Sequence, residues 1–415
     1  MHLVRPDGTV QHLSYCSNIH PAESWTQVMA NLQTHLLPVR DALVKDEPFG
    51  IGLRLSAKAA NDLTQAAAMQ EFKTFLKDNN CYVFTINGFP YGPFHGTQVK
   101  EDVYLPDWKD DERLHYTNQL ADLFAQFLPK GMSGSISTVP GAFKARVTSE
   151  ADIQRMAGQM VTHVAHLVKL EQRTGASIVL ALEPEPCCFL ETIDESVAFF
   201  TEYLFSDSSI DHLTSLLNVG KTEATALLKN HLTLCFDLCH AAVEFEDAQS
   251  CIDKLRQAQI NTGKVQISAG LRFTNASKST TELLKPFDDN VYLHQVVEHH
   301  NGRINRYTDL PEAFAQIENS TDTDNREWRV HFHVPIFLDA LGEYSSTQFF
   351  ITEFMALHRD SPVTDHLEVE TYTWNVLPEH CKTDDIDDAI IRELNWAREQ
   401  LMQTTTQAPL VTVLT

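Results

Sequence analysis

The chain has 415 residues, 43% of them hydrophobic, and carries a formal net charge of −24. That length holds one large domain or two ordinary ones and guarantees a sizeable core. The acidity repels phosphate backbones and anionic lipid heads, so nucleic acid is excluded as an expected partner.

The opening segment, MHLVRPDGTVQHLSYC, lacks the apolar centre of a secretory signal, and no run approaches the ~18 uninterrupted apolar residues of a membrane span. A cytoplasmic protein is the reading. Strand-like HLSYCSNI then leads into the helical pattern SWTQVMANLQTHLLPVRDAL, and FGIGLRLS into a helix through AAAMQEFKTFLKDN. CYVFTINGF is followed, after a loop, by DERLHYTNQLADLFAQFL. SGSISTVP precedes EADIQRMAGQMVTHVAHLVKLEQRTG, SIVLALEPE precedes DESVAFFTEYLF, and LTLCFDLCH precedes DAQSCIDKLRQAQI. KVQISAGLRF opens a less regular stretch, and HLEVETYTW followed by DIDDAIIRELNWAREQLM closes the pattern.

Strands alternating with helices at this spacing require parallel strands with crossover helices. Eight such units predict a closed (β/α)8 barrel, an α/β fold of the TIM type, as one domain over residues 1–400. Neither a GxGxxG nor a GxxxxGKS loop is present, which argues against dinucleotide and P-loop folds. Residues from about 274 to 345 read as an insertion near the seventh strand, and 401–415 as a loose C-terminal tail. Within the insertion, VYLHQVVEHHNGRINRYTDL predicts a hairpin around Asn301 and Gly302, PEAFAQIE a short helix, and RVHFHVPIF a strand. Either KVQIS or HFHVP can be the seventh barrel strand. The eight cysteines, several of them inside apolar runs, read as buried thiols of a reduced protein.

In such a barrel the C-terminal strand ends surround one mouth, where chemistry sits. Those ends are polar here. Asn18 and His20 follow the first strand, Arg54 lies on the second, and Asn87 with GFPYGPFHG, including His95, follows the third. Ser137 and Thr138 end the fourth strand, Glu183 and Glu185 the fifth, Asp237 and His240 the sixth. Gln266 and Ser268, or His331 and His333, belong to the seventh, and Glu370, Tyr372 and Trp374 to the eighth.

A single carboxylate at a strand end is ordinarily a helix cap or a salt-bridge partner, and Glu185 and Glu368 read that way. Glu183 differs, because it follows the apolar run IVLAL and would be costly there unless a cation or donors met it. In DLCH, Asp237 and His240 can reach one cavity from strand and loop, with substrate contact as the rival role of His240. His331 and His333 share a face by alternation, as a ligand or as packed, hydrogen-bonded histidines. Phe89, Tyr91 and Phe94 read as a lid or packing patch, and His299 with His300 as a solvated turn.

The strand-ending Glu, the DxxH motif and the final Glu resemble the xylose-isomerase-like superfamily of sugar isomerases, epimerases and related endonuclease IV repair enzymes. More closely, INGFPYGPFHG, VKEDVYLPDW, GSISTVPG, LALEPEP, FDLCHAAVEFE, YLHQVV, VHFHVPIF and EVETYTWNVLP resemble EboE, a TIM-barrel metabolite-traffic family, over residues 12–380. The resemblance implies a cytoplasmic protein of a bacterial gene cluster for export or processing of small metabolites, with protein partners from the same cluster. It also implies four metal ligands: Glu183, Asp237, a seventh-strand residue and Glu370. That third position is normally His; here KVQIS offers Gln266, so either its amide oxygen ligates weakly or His331 or His333 supplies the imidazole.

A carboxylate-rich site with about one imidazole suits Mn2+, Mg2+ or Zn2+. Glu183 and Glu370 then stand as the catalytic pair, with Asn18, His20, Arg54, Asn87, His95, Lys100, His240, Tyr372 and Trp374 as substrate contacts. The expected function is metal-dependent proton transfer on a small oxygenated metabolite, as in an isomerase or epimerase. Two rivals are a non-catalytic metabolite carrier barrel and an endonuclease IV-like phosphodiesterase, which the acidity disfavours.

Overall fold

A computed structural model describes residues 1–5, 7–93, 100–288, 292–319, 325–374, 377, 382 and 385–403. Eight parallel strands form the barrel: Val10–Tyr15, Phe49–Arg54, Cys81–Asn87, Ser133–Thr138, Ser177–Leu182, Leu232–Asp237, Thr262–Ile267 and His366–Val369. Hydrogen-bonded ladders run without a break from the second strand through to the eighth and on to the first. The first and second strands meet at a parallel bridge, Cys16 to Gly52, and through the Ser14 hydroxyl donating to the Gly50 carbonyl at 2.7 Å. The barrel is therefore nearly closed.

Runs such as FGIGLR and LTLCFD are buried at every position because helices cover one face of the sheet and the barrel interior fills the other. Helix starts are written locally. Ser149 and Thr192 each form a capping box, with Asp152 and Glu195 at the third helical position, satisfying amides that the first turn leaves bare. Gly175 ends the 25-residue helix Glu150–Thr174 at φ 76°, a left-handed backbone that costs glycine little. Three helices that the alternating pattern had not marked, Asp207–Leu217, Lys221–His231 and Gln348–Asp360, complete the outer layer. Among the described residues no helix is long and apolar enough to cross a membrane.

The barrel interior carries charge. Lys264 and Glu368 are fully buried and paired at 2.5 Å across the seventh and eighth strands. Glycine at position 52 makes room for that pair: a Cβ there would lie 2.0 Å from Glu368 Oε1 and 2.6 Å from the Tyr15 carbonyl oxygen.

KVQIS supplies the seventh barrel strand. The less regular stretch that KVQISAGLRF opens begins here: the chain leaves the barrel at Ser268 and Ala269–Phe273 joins a second, antiparallel sheet. That sheet is ordered Arg303–Tyr307, Val296–His300, Arg326–Val334, Ala269–Phe273 and Ser345–Ser346. HFHVP lies in its long central strand. The expected hairpin is present, with His300 opposite Arg303 and positive φ at Asn301 (51°) and Gly302 (74°), which fits a two-residue I′ turn. Helix Leu310–Asn319 follows it. The pairing of Arg326–Val334 with Ala269–Phe273 shifts register between Val330 and Val334, the stretch that contains His331 and His333. Such irregularities re-aim side chains.

Candidate metal centre

Glu183 stands one residue beyond the fifth strand, its amide donating to the Thr138 carbonyl at 3.1 Å. Asp237 ends the sixth strand and caps the short helix Leu238–Val243: Oδ1 accepts from the His240 amide at 2.9 Å and from the Ser268 hydroxyl at 2.7 Å. Glu370 follows the eighth strand. Its Oε1 accepts from Asn18 Nδ2 at 2.7 Å and from Asn87 Nδ2 at 3.0 Å, so two asparagines from the first and third strand ends hold it. All three carboxylates are buried.

Burial and the charges of Glu370 and Asp237 push the Glu183 carboxyl well above the usual carboxylate range. Burial, Asp237 and Glu368 do the same to Glu370. Glu183 Oε2 and Asp237 Oδ2 are buried with no hydrogen-bond partner. Bare carboxylate oxygens in a dry site are costly unless a cation or a proton meets them.

Three imidazoles approach from the other side. His333 Nδ1 donates to the Glu370 carbonyl oxygen at 2.7 Å, which leaves its Nε2 a lone pair, and that atom too is buried without a partner. Burial lowers the His333 pKa to about 4 and that of His331 well below the ordinary imidazole value, so both rings are neutral near pH 7, the form that binds metals. Donor atoms within 4.8 Å of one another group as Glu183, Asp237 and His240; as Asp237, Cys239 and His333; and as His240, His331 and His333. Glu370 is in none of these close groups and faces them from the eighth strand. The orphaned oxygens and nitrogen fit a divalent ion of the borderline or hard kind.

Gln266 is placed differently. Its Oε1 accepts the Cys235 thiol at 2.8 Å inside the barrel, and the residue is fully buried. Its oxygen is thereby occupied, whereas His333 brings an imidazole with a bare Nε2 from the second sheet.

A cavity of about 40 Å3 opens on the centre, lined among others by Asn18, Glu183, Glu185, His240, His331 and Glu370. Lys100 and Tyr372 also line it; Lys100 pairs with Asp309 at 2.7 Å, and the Tyr372 ring lies 4.6 Å from that of His333. Asn87 stands behind Glu370. Arg54 and His20 lie elsewhere, around a separate cavity of about 10 Å3. The Arg54 guanidinium donates to the carbonyls of Ala22, Pro90 and Gly92 and to Glu23, tying two loops to the end of the second strand. Trp374 is buried in the core, and His95 lies outside the described residues. The seven described cysteines are free thiols.

Sequence patterns had not singled out Tyr104 and Gln295. The Tyr104 hydroxyl donates to Glu185 at 2.6 Å, and Gln295 Nε2 donates to the Tyr104 oxygen at 3.0 Å. Their only signal was membership of unusual segments, VYLPDW and YLHQVV, because neither of these two residues ends a barrel strand.

No protein-family model matches the chain, and no curated protein does. Solved structures do. A xylose isomerase-like TIM-barrel protein from Mycobacterium smegmatis, determined in complex with magnesium, is 12% identical with a TM-score of 0.50, covering 94% of this chain and 96% of its own. A xylose isomerase domain protein from Planctomyces limnophilus is 11% identical with a TM-score of 0.47, covering 88% and 90%. The probable 3-DHS dehydratase AsbF of Bacillus anthracis is 13% identical with a TM-score of 0.45, covering 92% and 97%. At such identities the likeness is one of fold: this is a xylose-isomerase-like TIM barrel carrying an extra antiparallel sheet.

Proposed function

We propose that the chain is a divalent-metal-dependent enzyme that moves a proton on a small oxygenated metabolite, as an isomerase or epimerase does. The carrying observation is the trio of buried, partnerless atoms, Glu183 Oε2, Asp237 Oδ2 and His333 Nε2, with Asp237 in one close donor group with Glu183 and in another with His333. Glu183, Asp237, Glu370 and His333 would hold the ion, and their mixed oxygen and nitrogen donors suit Mn2+, Mg2+ or Zn2+. When bound, the ion would polarise a substrate oxygen and ease loss of a neighbouring proton.

The chain's own groups do the rest. Glu183, its carboxyl pushed upward by burial and the charges of Glu370 and Asp237, and Glu370, pushed upward by burial and the charges of Asp237 and Glu368, are the groups that would take and return the proton. Asn18 and Asn87 fix one oxygen of Glu370 and so orient the other. Tyr372 and Lys100 border the cavity where substrate hydroxyls would lie. A space of about 40 Å3 holds a water-sized guest, so a multi-carbon substrate requires lining residues such as Phe89, Tyr292 and Leu293 to move. Water exclusion on closing would protect the reacting carbanion. The resemblance to the EboE family supports a metabolite of a bacterial export or processing cluster as the substrate class.

Elemental analysis of the purified chain beside Asp237→Ala and Glu370→Ala, with circular dichroism to verify folding, tests this reading. Bound divalent metal in the parent, lost from both folded variants, is the expected result. Polyhydroxy metabolites incubated with the loaded protein in D2O should then take up deuterium at carbon. Failure to retain metal after incubation with Mn2+, Mg2+ and Zn2+ would overturn the proposal and favour a carrier barrel.

A further inference from the structure

The cavity beside the candidate metal centre has a fixed floor and a looser wall. Asn18, Glu183, Glu185, His240 and Glu370 stand within three residues of the ends of barrel strands, which the parallel ladders hold in place. The wall includes two short segments outside the strands: the turn Lys100–Tyr104, and residues 292–295 ahead of the strand Val296–His300. An ion pair, Lys100 Nζ to Asp309 Oδ2 at 2.7 Å, joins the turn to the insertion, and Gln295 Nε2 donates to the Tyr104 oxygen at 3.0 Å.

The two ends of the turn differ. Tyr104 is anchored, its ring stacked on those of Phe89 and Phe143 at centroid distances of 5.7 and 5.4 Å and its hydroxyl donating to Glu185. Lys100 is half-buried and sits at φ 39°, a left-handed backbone that is costly for a residue with a side chain. Asp309 is itself fixed, Oδ1 accepting from the His294 amide at 3.1 Å and its own neighbour Leu310 at 3.0 Å. A strained residue reaching a fixed carboxylate where both side chains meet solvent is a weak join, because so exposed a pair contributes little and is screened by salt. Room for a guest larger than the cavity of about 40 Å3 comes most easily from here.

We propose that residues 100–103 form a gate, latched by the Lys100–Asp309 ion pair and hinged at Tyr104, which swings away from the insertion to admit substrate. It rests on the reading of this cavity as the place of reaction. The antiparallel insertion then has two duties. Its central strand brings His333 to the metal centre, and Asp309, just ahead of the helix Leu310–Asn319, keeps the gate shut.

A Tyr372→Cys reporter puts a thiol on the cavity lining, and its labelling by N-ethylmaleimide measures how often the cavity admits a small organic molecule. The mass of the peptide holding residue 372 separates this label from the native cysteines. Adding Lys100→Met should speed labelling about fivefold, the factor an ion pair of this exposure supplies. Salt at about 1 M should speed labelling where Lys100 is intact and leave the Lys100→Met form unchanged. Should Tyr372→Cys fail to fold, hydrogen exchange of the chain without the reporter takes its place: Lys100→Met should accelerate the amides of residues 100–104 and spare those of Arg326–Val334. Equal labelling with and without Lys100→Met, or exchange that rises across the whole insertion, would overturn the gate and make the pair a staple of the fold. Neither readout depends on bound metal, so a chain that holds no ion would sink the proposed function and leave this test standing.

Discussion

His333 donates from Nδ1 to the backbone carbonyl oxygen of Glu370 at 2.7 Å, so a strand of the antiparallel insertion is fastened to the end of the eighth barrel strand. The Thr373 hydroxyl, which donates to the His333 carbonyl, fastens it a second time. The insertion is thereby part of the site, and its imidazole arrives with a fixed tautomer and a bare Nε2. His333→Ala should weaken metal binding by at least about 100-fold, since loss of even an orienting partner costs about 10–100-fold. Competition with a chelator indicator measures it, and unchanged affinity would remove His333 from the ligand set.

Gln266→Ala should leave metal affinity unchanged. Its oxygen is occupied by the Cys235 thiol at 2.8 Å, and its Nε2 is buried without a partner. Truncation then costs packing, about 1–3 kcal/mol by urea denaturation, and nothing at the metal. A loss of metal comparable to that in His333→Ala would restore Gln266 as a ligand.

Lys264→Met should destabilise the fold by about 3–5 kcal/mol, because it strands the fully buried Glu368 without its cation. The Lys264 charge also restrains the upward shifts of Glu183 and Glu370, so its removal should move metal binding to higher pH. Denaturant midpoints and a pH series of metal affinity read the two effects separately. The double change Lys264→Met with Glu368→Gln should recover most of the stability; if it does not, packing rather than charge dominates at this pair.

The barrel was legible because its strands are continuous apolar runs and its helices carry a 3.6-residue period, signals that need no partner to be read. The polar strand ends were equally visible: Glu183, His240 and Glu370 line one cavity, and Asp237 has a donor atom within 4.8 Å of those of Glu183 and His240. What the pattern could not decide was the seventh strand. KVQISAGLRF carries no proline or paired turn residues to mark a break, and the turn out of the barrel at Ser268 is made by tertiary contacts, the hydroxyl donating to Asp237 Oδ1 and accepting from the Cys239 amide at 2.9 Å. Arg54 and His20 looked like site residues because position along a strand says where a side chain starts, not where a long or loop-borne one ends. Lys264 escaped notice for a related reason: its charge is matched by Glu368, distant in sequence, and only the eighth strand's pairing brings them together.

Stability should depend on pH through Glu393, on the helix Ile386–Met402. Its Oε1 accepts from the Thr371 hydroxyl at 2.7 Å and from the Ile336 amide at 3.1 Å, joining the last helix to the strand ends around the site. Burial raises this carboxyl from 4.5 to about 7, and the two hydrogen bonds offset only part of that. The folded state therefore holds a proton that the unfolded chain releases above about 4.5, so this contribution to stability is full below that pH and is lost as pH rises through about 7. Gln at this position keeps the acceptor oxygen and cannot ionise. Glu393→Gln should match the parent at acidic pH and exceed it at pH 8 by up to about 3 kcal/mol, the free energy equivalent of the shift. Urea denaturation of the chelator-stripped protein at the two pH values checks it, stripping being needed so that metal release does not add its own pH dependence. An equal difference at both pH values would mean that the gain comes from packing and that Glu393 does not change its charge over this range.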